Sequence, residues 1–185
     1  MNLETLVRAF NASFLPAWNT RLVGGFPEPL YLPSEGLPSE GRPSEGGRPA
    51  EIQFTRDYLS SALHEISHWC IAGPERRAQV DYGYWYRPDG RNPREQEEFF
   101  RMEAKPQSLE MAFSEKCGID FRVSCDNLNG GMIHAEEFEK RVRLQLEAYR
   151  REGFPARARE FMALLDRLTS VDSPALTNGR LTNPL

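Results

Sequence analysis

The chain has 185 residues, 39% of them apolar, and a net charge of −4. That size suits one domain around a single core. No block of Lys and Arg stands clear of acidic neighbours, which excludes a phosphate-tracking nucleic-acid binder, and no apolar run approaches the roughly 18 residues of a membrane span.

The three cysteines, Cys70, Cys117 and Cys125, form no C-x-x-C pair, so buried free thiols in a reducing, cytoplasmic setting are expected. The opening residues from Met1 to Leu6 carry neither a basic stretch nor a continuous apolar one, and no secretory signal is expected.

Leu3, Leu6, Val7, Phe10 and Phe14 recur at helical spacing, which predicts an amphipathic helix closed at Pro16. A short extended piece is expected around Leu30-Tyr31-Leu32. Residues 33–49 hold a Pro/Ser/Glu/Gly repeat, with Pro33-Ser34-Glu35-Gly36 returning as Pro38-Ser39-Glu40-Gly41 and Pro43-Ser44-Glu45-Gly46. Such a stretch buries almost nothing and reads as a mobile surface loop.

From Phe54 to Ala72 the pattern is helical again, stopped by Gly73-Pro74. At 100° per residue, Tyr58, Leu59, Ala62, Leu63, Ile66, Trp69 and Cys70 share one arc. His64 and His68 fall on the opposite side, near Asp57 and Ser61. Packing therefore leaves the histidines free to face a different space.

Val80 to Tyr86 is aromatic and β-prone, followed by the turn signal Pro88-Asp89-Gly90. Asn92-Pro93-Arg94-Glu95 has the form of a capping box with a first-turn proline. The helix it opens runs through Phe99, Met102 and Glu103, and Pro106 is expected to end or kink it before the pattern resumes up to Cys117-Gly118. Ile119, Phe121 and Val123 alternate as in a short strand, and residues 126–131 read as a loop. Phe138, Val142, Leu146 and Tyr149 mark a helix broken at Gly153-Phe154-Pro155, and Phe161, Leu164, Leu165 and Leu168 mark the last one. The expected fold is α+β: a mostly helical single domain over 1–169 with a few short strands, and a flexible tail over 170–185.

His64-Glu65-Ile66-Ser67-His68 is an H-E-x-x-H pattern that uses two of the three histidines. Imidazoles four apart lie one above the other on a helix, close enough to chelate one ion. A third ligand is expected from the next acidic helix, where Glu95, Glu97, Glu98, Glu103 and Glu110 are candidates. Glu103 is the best placed of these, between Met102 and Ala104 just before Pro106, while the first three lie in a solvated first turn. Two chemistries fit such a set. With zinc, Glu65 would activate a metal-bound water for peptide hydrolysis. With Fe(II), two histidines and a carboxylate leave positions open for oxygen and substrate. The spacing does not choose between them. A silent domain with a structural metal fits less well, because structural zinc takes four closed nitrogen or sulfur ligands.

The block from His64 to Gly73, with Val80-Asp81-Tyr82-Gly83-Tyr84-Trp85-Tyr86 and Pro88-Asp89-Gly90-Arg91, resembles the elongation factor P hydroxylase family. Glu103, Lys105-Pro106-Gln107 and Val123-Ser124-Cys125-Asp126-Asn127-Leu128 extend the resemblance, which covers about Leu3 to Ala163. It implies a cytoplasmic, monooxygenase-type hydroxylase that acts on the β-lysylated lysine of elongation factor P, with Fe(II), molecular oxygen and an external reductant. It also implies His64, His68 and Glu103 as metal ligands, and it does not imply 2-oxoglutarate. Glu65 would be the protease base in the alternative reading, and in a hydroxylase a group that orients a ligand or holds a metal-bound water. Tyr82, Tyr84, Trp85 and Tyr86 read as strand packing or as a wall for a cationic side chain. Asp57 and Asp126 are possible partners of substrate amines, and His134 reads as a surface residue.

Overall fold

A computed structural model describes residues 1–35, 47–55, 58–83, 90–125 and 131–171. The repeat over 36–46, Asp57, Tyr84-Trp85-Tyr86, Asp126 and the tail from 172 lie outside the described residues, as does the side chain of His134. No helix among the described residues is long and apolar enough to cross a membrane.

Helix α1 (Leu3–Trp18) buries Leu6, Phe10 and Phe14, and the Asn2 side chain caps it by accepting from the Thr5 amide at 2.8 Å. Pro16 lies inside the helix instead of closing it. A proline in a last turn removes one backbone bond and keeps a helical φ. Trp18 beyond it is anchored by its indole N–H, which donates to Glu160 at 2.9 Å, and by an edge contact with Trp69. Asn19, at φ 46°, ends the helix.

Three strands follow, β1 (Thr20–Phe26), β2 (Leu30–Leu32) and β3 (Ala50–Thr55). Their order is β1-β3-β2, with β3 parallel to β1 and antiparallel to β2. Phe54, expected to open the second helix, is instead the end of the central strand. Ile52 and Phe54 bury fully, while Glu51 and Gln53 are drawn in by polar bonds: Arg21 to Glu51 at 2.5 Å and Gln53 to Glu51 at 2.7 Å. Tertiary pairing of a central strand thus overrides the helical periodicity.

Helix α2 (Leu59–Ile71) buries Ala62, Leu63, Ile66, Trp69 and Cys70, as the stripe predicts, whereas Tyr58 stays exposed. After the short α3 (Pro74–Arg77), the expected strand is replaced over Val80–Gly83 by a 3-10 turn. Asp81 and Tyr82 adopt φ of 50° and 57° there. The Asp81 carboxylate accepts from the Tyr31 amide at 2.9 Å, and the Tyr82 ring stacks on Tyr31 at 4.1 Å. Burying both tyrosines offsets a left-handed conformation that costs about 1–3 kcal/mol per non-glycine residue.

Helix α4 (Pro93–Cys117) carries the expected capping box on Asn92 and Glu95. It is continuous through Pro106, which is itself buried. Its C-terminal half packs on α2 and on α6 (Ala156–Val171), with Leu109 and Phe113 in the core that holds Phe10, Trp69 and Phe161, while Phe99, Phe100 and Met111 join Phe138 and Val142 of α5 (Gly131–Glu152) in a second cluster. Residues 119–125 are not a strand. Side chains hold them instead: the Gln107 amide both donates to and accepts from Ser124 (2.9 and 3.0 Å), and Arg91 donates to the Cys125 carbonyl at 2.6 Å. Helices α5 and α6 are the last elements among the described residues, separated at Gly153-Phe154-Pro155 as expected. The result is a mostly helical molecule with one small sheet. From α6, Arg157 donates to the Trp69 and Ala72 carbonyls and so fixes the end of α2.

Candidate metal centre

The face of α2 opposite its packing stripe meets α4. His64 and His68, one turn apart, project there together, with their Nε2 atoms 3.2 Å from each other. Glu103 of α4 inserts its carboxylate between them, Oε1 at 3.3 Å from His68 Nε2 and Oε2 at 3.7 Å from His64 Nε2. One donor atom from each of the three lies within 4.8 Å of the others. An ion bonded at about 2.1 Å to nitrogen or oxygen donors would hold them about 3.0–3.4 Å apart. The His64–His68 and His68–Glu103 spacings fall in that range, the His64–Glu103 spacing lies a few tenths of an ångström above it, and nitrogen with carboxylate donors suits a first-row transition metal. The residues present therefore fit an ion.

Glu103 is 2% exposed, so its charge needs partners. Burial opposes the carboxylate, but the neighbouring His68 and His64, with hydrogen bonds from His68 and Gln107, hold its pKa down to about 2. Gln107, one turn along α4, donates to Glu103 at 3.3 Å while its amide also grips Ser124. Another carboxylate stands two turns beyond Glu103: Glu110 Oε2 lies 2.8 Å from His64 Nδ1. Burial would lower the His64 pKa, yet the hydrogen bond and charge of Glu110, with Glu103 and Glu65, raise it to about 10. His68 is backed by Tyr82, whose ring lies nearly parallel to it at 6.2 Å.

Glu65 is half-buried on α2 and its carboxylate has no hydrogen-bonding partner among the described residues. Burial pushes its pKa up; the histidines pull the other way, and Glu103 and Asp81 add to the rise. Glu95, Glu97 and Glu98 are exposed on the first turns of α4, away from this cluster.

The structure thus brings together His64, His68 and Glu103, with Glu65 beside them. Glu110, one of the five candidate third ligands in the sequence, instead meets the outer nitrogen of His64. The spacing 103, 107, 110, one stripe of a helix, was the available signal. Tyr31 and Asp81 read from sequence only as parts of extended segments, since nothing local marks their contact with each other or the stacking of Tyr31 on Tyr82.

The profile of elongation factor P hydroxylases matches residues 9–178. The chain is also 42% identical over 156 residues to the elongation factor P lysine hydroxylase of Haemophilus influenzae, an alignment that spans 84% of this chain and 83% of that protein. With a match of this extent, the chain belongs to the elongation factor P hydroxylase family.

Proposed function

We propose that this chain is a cytoplasmic, non-haem iron enzyme that hydroxylates the β-lysylated lysine of elongation factor P, with His64, His68 and Glu103 as the iron ligands. The observation that carries the reading is the convergence of two Nε2 atoms and one buried carboxylate at metal-ligand spacing, in a chain of this family. Bound iron supplies the oxygen chemistry that insertion into a C–H bond needs, with two electrons from an external reductant. Two histidines and a carboxylate supply three donors and leave the remaining positions open, as a catalytic site requires.

The protein residues do the rest. Glu103 brings a negative charge that stays ionised at neutral pH, and Gln107 holds it in place. Tyr82 lies beside His68 with its ring nearly parallel and walls that side of the site. Glu65, without a hydrogen-bonding partner among the described residues and with a pKa pushed up by burial, is the group able to hold or pass a proton beside the metal. Asp81, close enough to act on Glu65, adds negative charge on the side of the site proposed to receive a cationic lysine extension. Residues 1–169 act as one hydroxylase domain, with α2 and α4 supplying the ligands and the sheet, α1 and α6 backing α2.

The test is mass spectrometry of elongation factor P after incubation with the protein, Fe(II), oxygen and a reductant. The β-lysylated factor should gain the mass of a single oxygen on the modified lysine, and the unmodified factor should react less. Peptide fragments without that gain would indicate a zinc protease instead.

A further inference from the structure

We propose that Glu110 is a positioning residue: it accepts the Nδ1 proton of His64, locks that imidazole in one tautomer and turns its Nε2 lone pair toward His68 and Glu103. This rests on the metal-site reading above and deepens it. The geometry separates Glu110 from the ligands. Its Oε2 reaches the His64 nitrogen on the far side of the ring from the one that faces His68 (2.8 Å against 3.2 Å for the Nε2 pair). The two ring nitrogens point apart, so a carboxylate on Nδ1 cannot share an ion with Nε2. Glu110 is 8% exposed, and the bond to His64 is made from α4 to α2, across the same helix pair that forms the ligand cluster.

The physical need is plain. A neutral imidazole carries one proton on either nitrogen, and only the Nδ1–H form leaves Nε2 free to ligate. A carboxylate on Nδ1 selects that form and makes the ligating nitrogen more basic, and partners of this kind are worth about 10–100-fold in metal affinity. Glu103 has its own holder in Gln107. Helix α4 therefore supplies one ligand directly and orients another through Glu110.

The experiment is zinc binding by competition titration, together with nitrogen-15 NMR of the histidine rings in the zinc-loaded protein. The wild type should show His64 protonated at Nδ1. Glu110→Ala should weaken zinc binding about 10–100-fold, while Glu110→Gln, which keeps the volume and an acceptor oxygen, should recover much of the loss. Glu103→Ala should lose more affinity than Glu110→Ala. Unchanged affinity in Glu110→Ala, or His64 protonated at Nε2 in the loaded wild type, would overturn the assignment of Glu110 alone. Loss in Glu110→Ala equal to that in Glu103→Ala, with no recovery in Glu110→Gln, would make Glu110 a ligand. A wild type that binds no zinc would overturn the metal reading and this inference with it.

Discussion

Binding of metal to the folded chain alone should stabilise it, and the donor set fixes which substitutions remove the effect. At a free metal concentration 100 times the dissociation constant, linkage adds about 2.7 kcal/mol. A protein of this size gains about 2–4 °C per kcal/mol, so Tm should rise by about 5–11 °C. Glu103→Ala deletes one of three donors from a pocket where the carboxylate is 2% exposed and reaches both histidines. If affinity falls about 100-fold, the same metal concentration adds only about 0.4 kcal/mol, a shift of about 1–2 °C. Ile66→Val, on the buried side of α2, is the contrast. It should lower the starting Tm through about 0.5–1.5 kcal/mol of lost packing, yet keep the whole metal-dependent rise. Differential scanning calorimetry of metal-free protein, with and without added metal, reads both. A Glu103→Ala protein that kept the full rise would refute the assignment of the third ligand.

The loop and sheet give two more tests. The Glu35 amide donates to the Arg48 carbonyl at 3.0 Å and their side chains pair at 3.1 Å, so the segment between them is already closed at its base. Replacing 36–46 with a short Gly-Ser turn should leave turnover unchanged and Tm within about 3 °C, because closure entropy varies only with the logarithm of length; a larger fall would show that the repeat packs on the core. A Cβ on Gly24 would lie 2.5 Å from Cζ of the buried Phe54 ring. Gly24→Ala should therefore destabilise by about 1–3 kcal/mol in urea unfolding, and unchanged stability would mean that the ring shifts freely.

What could be read from the sequence follows the range of the forces involved. Helices with a full apolar stripe, such as α1, α2 and α6, are local signals and were legible, as was the Asn92–Glu95 capping box. Strands β1 and β3 were not, because their pairing joins residues about 30 apart and Glu51 and Gln53 bury only through partners on other residues. The Val80–Gly83 turn and the 119–125 segment were misread as strands for the same reason: Tyr31 and Gln107, distant in sequence, decide their backbone. At the site, the histidine pair was legible because one helix carries both. Glu103 entered as the best of five acids, and its insertion between the histidines depends on how α4 crosses α2, which no local pattern encodes. The division of labour between Glu103 and Glu110 could be seen only once both His64 nitrogens had neighbours.

The central claim is that an iron centre on His64, His68 and Glu103 transfers an atom of molecular oxygen to elongation factor P. Isotope labelling tests it most directly. With oxygen-18 gas in ordinary water, the modified lysine of β-lysylated elongation factor P should carry the heavy isotope in wild-type reactions, and no label should appear with Glu103→Ala. Label arriving from oxygen-18 water instead of the gas, or labelled product made equally well by Glu103→Ala, would contradict the account.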